Sequence, residues 1–130
     1  MVEIWRSGGS NMTGSPDDAR MIEGEGWDGP LFMDSQCLAL DNWVMMGVWG
    51  TVTERLLLSP GVTNPFTRHS VVTANAAETL QVVTKGRSIL GIGRGDSVLA
   101  YLGHQPFGTE RFERVLSDLR ALLAREGIPF

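Results

Sequence analysis

Short apolar runs alternate along the chain with longer segments that have helical spacing. The apolar runs predict four strands, at residues 2–5, 31–33, 55–59 and 88–92. A segment with helical character follows each of them. Strict alternation of strand and helix favours parallel strands joined by right-handed crossovers.

Local start and stop signals predict where the helices lie. Ser15-Pro16-Asp17-Asp18 combines a hydroxyl cap, a proline at the first helical position and acids in the first turn, so a helix should run from there to about residue 25, with Gly26 as its stop. Asp41 is predicted to cap a second helix over 43–53. That helix is apolar nearly all round, so it must be covered on more than one side.

The second half of the chain predicts two more helices. One covers 71–84, with Gly86 at its end. Thr109 is predicted to cap the other, on which one face carries Phe112, Val115, Leu116, Leu119, Leu122 and Leu123.

Two architectures satisfy this α/β pattern. One is a doubly wound open sheet, and the other is the opening half of an eight-stranded parallel barrel. The length of 130 residues favours the open sheet, because a full barrel takes about 250. Functional residues gather at the C-terminal ends of the strands in either case.

Composition narrows the class of protein. A hydrophobic content of 42% with a net charge of 11 − 15 = −4 predicts one folded domain and disfavours disorder. The acidic balance disfavours nucleic-acid binding. No apolar run approaches the roughly 20 residues of a membrane span, and no secretory pattern opens the chain. We therefore expect a cytoplasmic protein with neither a nucleic-acid nor a membrane partner.

The cysteine and histidine content argues against a metal-binding site and against a disulfide. Cys37 is the single cysteine, so an intrachain disulfide is excluded, and with only two histidines no metal site is expected. Cys37 is interpreted as an inert buried thiol. His69 is interpreted as a group that pins its loop rather than as a base, and the sequence names no partner for His104.

Small and polar residues recur at the predicted strand ends. Residues 91–97, Gly-Ile-Gly-Arg-Gly-Asp-Ser, suit a backbone cradle with one guanidinium for a phosphate. A flexible turn between a strand and a helix explains the same residues, and both interpretations stay open. Asp34 closes the second strand, where its carboxylate could hold a proton. The alternative for Asp34 is an acid that caps a nearby helix.

Residues 61–69, Gly-Val-Thr-Asn-Pro-Phe-Thr-Arg-His, together with 73–76 and 86–93, resemble the luciferase-like flavin- and deazaflavin-dependent oxidoreductases. The branch that includes methylenetetrahydromethanopterin reductase is the most similar. The resemblance is strong over 55–103 and in register elsewhere. The family fold is a TIM-barrel-like (β/α)8 barrel. The resemblance therefore implies that residues 1–130 form its first four units, a half-barrel domain truncated at its C-terminus.

The resemblance also implies a site. It places a non-prolyl cis peptide at Gly61–Val62, behind the central ring of the cofactor. Asp34 matches a catalytic carboxylate near the redox-active ring, and Arg94 matches a residue near the cofactor phosphate. The cofactor-binding set it implies is Gly61, Val62, Thr63, Asn64, Gly93, Arg94, Gly95, Asp96 and Ser97. Two positions depart from the family pattern: Ser35 stands where many members have histidine, and Ser70 where proline is usual.

The activity implied by the resemblance is hydride transfer between a cofactor and a small organic substrate. The cofactor is a deazaflavin (coenzyme F420) by preference or FMN, and with FMN and oxygen the outcome would be monooxygenation. A homodimer through the helices at 41–53 and 71–84 is implied too. A non-enzymatic alternative is a half-barrel that only binds or oligomerises, because its sheet edges stay exposed. A flavodoxin-like electron carrier ranks last, since residues 7–15 lack its phosphate loop.

Overall fold

The computed structural model describes residues 2–7, 14–36, 38–95 and 97–126. The elements in chain order are β1 (Trp5–Ser7), α1 (Pro16–Gly24), β2 (Gly29–Phe32), α2 (Asn42–Val52), β3 (Ser59–Pro60), α3 (Ser70–Val83), α4 (Ser97–Tyr101) and α5 (Thr109–Leu123). The predicted alternation of strands and helices is confirmed for the first three pairs, β1-α1, β2-α2 and β3-α3. Helix α4 is an addition, because five residues are too few to show helical periodicity.

The strands form one parallel sheet in the order β1-β2-β3. The predicted fourth strand at 88–92 is wrong as a continuous strand, since it consists of two isolated parallel bridges, Leu58↔Ser88 and Thr63↔Ile92. From the first bridge to the second, the segment that contains β3 advances by five residues, from 58 to 63. The segment paired with it advances by four residues, from 88 to 92. The extra residue is a β-bulge, which locally interrupts a ladder.

The first and third strands lie later in the chain than predicted. Trp5 pairs with Gly29, so β1 covers 5–7 rather than 2–5. The third strand was expected over 55–59 but covers 59–60. The reason is that the backbone N–H groups of 54–56 donate to a side chain of α1 instead of to a neighbouring strand.

That side chain is Glu23. Its Oε1 accepts hydrogen bonds from the N–H groups of Glu54, Arg55 and Leu56 at 2.9, 2.6 and 3.2 Å. The Arg55 guanidinium in turn donates to the Glu23 carbonyl at 2.7 Å. Partial burial raises the pKa of Glu23, but the three backbone donors and Arg55 outweigh it, so the net pKa is lowered.

A lowered pKa in the folded state predicts how Glu23 affects stability. Its contribution is fully present above the ordinary value of 4.5 and is lost as the pH falls through the folded-state pKa. We expect Glu23→Gln to lower the free energy of unfolding at pH 7 by about 1–2 kcal/mol, since the bonds lose their charge assistance. Urea titrations of both proteins at pH 7 and pH 3 measure this. A difference that stays constant between the two pH values would contradict it.

The predicted helix starts at Ser15 and Asp41 are confirmed. The Ser15 hydroxyl accepts from the Asp17 N–H at 3.2 Å, and one Asp41 oxygen accepts from the N–H groups of Trp43 and Val44 at 3.0 Å each. His69 caps α3 by accepting from the Val71 N–H at 3.3 Å, which confirms its structural interpretation. The Thr109 cap is wrong: Gly108 is the N-cap residue of α5, and it has no side chain with which to cap.

The hydrophobic core lies between the sheet and α1, α2 and α3. Trp49 of α2 meets Phe32 of β2 edge to face at 5.2 Å between ring centroids. The expectation that α2 is covered on more than one side holds only in part, because Val44 is 67% exposed and Val48 37%. On α5, Leu119 is the buried member of the predicted apolar face.

Arg87 connects the C-terminal ends of α2 and α3 to the chain segment before β3. Its guanidinium donates to the carbonyls of Gly50, Thr53, Leu56 and Thr84 at 2.7–2.9 Å. A further bond reaches the Thr53 hydroxyl at 3.2 Å. Carbonyls at the end of a helix lack intrahelical donors, so one side chain satisfies groups that would otherwise be unpaired.

Candidate functional site

The predicted site residues converge at the C-terminal ends of the strands. A cavity of about 160 Å³ there is lined by Asp34, Val62, Thr63, Asn64, Gly93, Arg94, Gly95 and Val98. All but Val98 belong to the set predicted from the sequence. Three predicted members are not part of the lining. Gly61 and Ser97 adjoin the lining residues Val62 and Val98 in the sequence, and Asp96 lies outside the described residues. Cys37 also lies outside them.

The bulge after β3 brings an apolar side chain to this cavity. The peptide bond Gly61–Val62 is cis, as the resemblance implied. Val62 follows it and is 51% exposed. The cavity therefore has an accessible aliphatic surface beside its polar residues.

Asp34 lies at the end of β2 with both carboxylate oxygens engaged. Oδ2 accepts from the Thr63 hydroxyl at 2.5 Å, and Oδ1 accepts from the Gln36 side-chain amide at 2.6 Å. The Gln36 Oε1 atom is buried without a hydrogen-bond partner among the described residues. No signal in the sequence singled out Gln36, because its role depends on how the loop after β2 folds back.

Asn64 shapes the loop that follows the bulge. Its Oδ1 accepts from the N–H groups of Phe66 and Thr67 at 3.1 and 3.0 Å and from the Thr67 hydroxyl at 3.2 Å. Asparagine commonly closes turns in this way. The acceptor of Asn64 thus serves the loop, while the residue itself forms part of the cavity wall.

Glycines line the opposite wall. Gly95 has φ of +89°, and a Cβ built on it would lie 2.2 Å from Leu99 Cδ1, so neither the backbone nor the space there admits a side chain. Among the described residues, a Cβ at Gly93 would meet Val62 Cγ2 alone, at 3.0 Å. Gly93 therefore leaves space open on the cavity side.

The guanidinium groups of Arg94 and Arg111 both contact Phe107. Arg94 donates to the Phe107 carbonyl at 3.4 Å, and the Phe107 N–H donates to the Arg94 carbonyl at 3.1 Å. Arg111 lies over the Phe107 ring, 3.7 Å from its centroid. Within the described part of the chain neither arginine has a carboxylate partner. The sequence predicted Arg94 but not Arg111, since nothing local links α5 to this loop.

The segment before α5 covers the loop after β3. His104, for which the sequence named no partner, lies 4.3 Å from the Phe66 ring between centroids, and Phe107 meets Phe66 edge to face at 6.1 Å. On the other side Arg68 pairs with Asp41 at 3.1 Å and lies 5.6 Å from the Trp43 ring. The loop is therefore held against both α2 and the residues before α5.

Across residues 2–7, 14–36, 38–95 and 97–126, no cluster of three or more histidine, cysteine, aspartate or glutamate side chains could hold a metal ion. In the same part of the chain, no helix has the length and apolar character needed to cross a membrane.

Known proteins are similar to this chain in sequence and in fold. The chain is 41% identical over 63 residues to 5,10-methylenetetrahydromethanopterin reductase of Methanopyrus kandleri, covering 46% of this chain and 18% of that protein. It is 41% identical over 95 residues to the phthiodiolone/phenolphthiodiolone dimycocerosates ketoreductase of Mycobacterium bovis, covering 67% of this chain and 24% of that protein.

A solved structure extends the likeness to nearly the whole chain. The coenzyme F420-dependent tetrahydromethanopterin reductase from Methanopyrus kandleri superposes with a TM-score of 0.77 at 22% identity. The match covers 92% of this chain and 40% of that structure, so the chain spans less than half the length of its relatives. The sequence pattern of the luciferase-like monooxygenases matches residues 6–128. The chain therefore belongs to the luciferase-like monooxygenase family.

Proposed function

We propose that this chain carries the cofactor-binding half of an oxidoreductase that transfers a hydride between a deazaflavin and a small organic substrate. The observation that supports this most strongly is the cavity at the strand ends, where an acid, a half-exposed valine, two glycines and an arginine line one space. Membership of the luciferase-like family supports oxidoreduction in general. The coenzyme F420-dependent tetrahydromethanopterin reductase described above favours the deazaflavin.

The residues present fit such a cofactor. The open space at Gly93 and the exposed surface of Val62 suit an apolar, planar ring. Arg94 supplies a guanidinium suited to a phosphate, and Arg111 lies beside it at Phe107. When bound, the deazaflavin would supply the redox chemistry, while the protein binds the ring, orients it and excludes water.

Asp34 is the catalytic residue in this proposal. It lines the cavity, and the donors to its carboxylate among the described residues, Thr63 and Gln36, are both neutral. A carboxylate has about four acceptor positions, so capacity remains to accept a hydrogen bond or a proton from a ligand. The cofactor-binding set that the resemblance implies is Gly61, Val62, Thr63, Asn64, Gly93, Arg94, Gly95, Asp96 and Ser97.

A binding titration tests the function. Coenzyme F420 and FMN are titrated separately into the purified chain, and binding is followed by their fluorescence. We expect coenzyme F420 to bind at least about tenfold more tightly, which corresponds to about 1.4 kcal/mol. Tight binding of FMN without binding of coenzyme F420 would favour the FMN monooxygenase instead. Binding of neither would contradict both.

The chain alone is proposed to bind the cofactor without turning over substrate. In this proposal it corresponds to the first four strand–helix units of a barrel, and the solved relative is more than twice as long. Substrate contacts in such a barrel come from loops after several different strands. Turnover by the purified 130-residue chain would contradict this proposal.

We also propose that the chain forms a homodimer through α2 and α3. Both helices expose valines, Val44 and Val48 of α2 and Val72 and Val83 of α3, and α2 carries no charged side chain. Apolar surfaces of this kind mark subunit interfaces in soluble proteins. Sedimentation velocity at micromolar concentration should show a dimer, and a monomer would argue against the interface.

One observation favours the non-enzymatic alternative, a module that only pairs with other chains. A groove of about 630 Å³ separates residues 90 and 92 from α5, and Leu116 and Leu123 line it. The backbone N–H of Ile89 is paired with β3, so Leu90 and Ile92 present theirs to the open edge. Self-association of the chain without any cofactor binding would support this alternative.

A further inference from the structure

The hydroxyl of Thr63 is committed to Asp34 rather than to the cavity. Thr63 Oγ1 lies 2.5 Å from Asp34 Oδ2, and the Thr63 residue is 0% exposed. An ionised carboxylate only accepts, so Thr63 is the donor. This changes the role that the resemblance implies for Thr63, which was direct contact with the cofactor.

The position of this donor is fixed by the sheet. The Thr63 N–H donates to the Gly91 carbonyl at 3.0 Å, and the Thr63 carbonyl accepts from the Gly93 N–H at 2.9 Å. Both flanking backbone groups are thus paired with the segment that forms the glycine wall. The Thr63 backbone therefore cannot shift without breaking the bridge to Ile92, and the hydroxyl can leave Asp34 only by rotation of the buried side chain.

The carboxylate is in turn held from two sides. Thr63 donates to one oxygen, and the Gln36 amide donates to the other at 2.6 Å. Without the Thr63 bond, the carboxylate would be free to turn about its Cβ–Cγ bond around the single remaining contact. Its unused acceptor positions would then point to the cavity only part of the time.

We infer that Thr63 is the positioning residue of this site: its hydroxyl holds the Asp34 carboxylate in the orientation in which it meets a ligand in the cavity. The inference rests on the proposed function in taking coenzyme F420 as that ligand. Thr63 acts through Asp34, and no contact between Thr63 and the ligand is required.

The test compares Thr63→Val, which keeps the shape and removes the donor, with Thr63→Ser, which keeps the donor. The first readout uses the ligand-free chain: the ¹³Cγ resonance of Asp34, assigned by its loss in Asp34→Asn. We expect it to shift in Thr63→Val and to stay in place in Thr63→Ser. The second readout is the affinity for coenzyme F420, which should fall about tenfold in Thr63→Val and recover in Thr63→Ser.

Thr84→Val is the matched control. Thr84 is equally buried, and its hydroxyl donates to the Leu80 carbonyl at 2.6 Å, away from the cavity. We expect Thr84→Val to lower stability without moving the Asp34 resonance or the affinity. If Thr63→Val does not fold, Thr63→Cys replaces it, because a thiol is a weak donor.

Two results separate the inference from the proposed function. An Asp34 resonance that is unchanged in Thr63→Val would overturn the inference, whatever the chain binds. If the wild-type chain binds no coenzyme F420 but the resonance shifts as expected, the proposed function fails and the positioning role of Thr63 stands. An affinity that Thr63→Ser fails to restore would also overturn it.

Discussion

Gly93→Val should weaken the binding of coenzyme F420 by about 10- to 100-fold while leaving the chain folded. Among the described residues, a Cβ at position 93 would meet Val62 Cγ2 alone, at 3.0 Å, and the half-exposed Val62 side chain can give by the few tenths of an ångström required. The added methyl groups would occupy the cavity that Gly93 shares with Asp34 and Arg94. Fluorescence titration measures the affinity, and circular dichroism measures whether the helices persist.

The effect should depend on the position of the glycine. Gly24→Val is the control, since Gly24 lies at the end of α1 and a Cβ there would have no described residue within 4 Å. We expect its affinity to match that of the wild type. Gly91 would be a poor choice, because its Cβ would lie 2.2 Å from the Pro60 carbonyl oxygen and disturb the fold itself. Unimpaired binding by Gly93→Val would mean that the cofactor lies elsewhere.

Arg87→Met should lower the free energy of unfolding by about 3 kcal/mol. Methionine matches the length of the arginine stem but donates nothing. The carbonyls of Gly50, Thr53, Leu56 and Thr84 would lose the guanidinium that now pairs with them. A partly buried carbonyl without a partner costs more than the bond itself contributed. Urea unfolding followed by tryptophan fluorescence measures the change.

Two further variants separate geometry from charge. Arg114→Met removes an exposed ion pair with Glu110, whose side chains are 68% and 87% exposed, and should change stability by less than about 0.5 kcal/mol. Arg87→Lys keeps the charge but lacks the planar fork that reaches several carbonyls at once, so most of the loss should remain. Stability of Arg87→Lys equal to that of the wild type would show that charge, and not the array of bonds, is what matters.

Local features were predictable because the residues that make them are close in the chain. Ser15 and Asp41 bond to N–H groups two or three residues away. Gly26 and Gly86 follow their helices with φ of +87° and +94°, the conformation that ends a helix and that glycine adopts easily. These signals located the helices to within a residue or two, and they needed no knowledge of the fold.

Strand bounds were less predictable because a strand is defined by its neighbour. Residues 55 and 56 have the composition of a strand, but Glu23 takes their N–H groups. Residues 88–92 are extended and parallel to β3, yet the extra residue at the bulge leaves them with two bridges instead of a ladder. Neither the Glu23 acceptor nor the bulge can be identified from the residues of the strand alone.

By itself the sequence determined three strand–helix units and the helix caps at Ser15 and Asp41. The family resemblance of the sequence implied the cis bond at Gly61–Val62 and most of the residues that line the cavity. Only the tertiary structure decided how those residues are connected. Thr63 meets Asp34 across 29 positions, and Arg87 reaches Gly50 across 37. Arg111 joined the site through Phe107, whose carbonyl accepts from Arg94 across 13 positions. Such contacts depend on the register of parallel strands and the return of each helix, and that register is set by packing over the whole chain rather than by neighbouring residues.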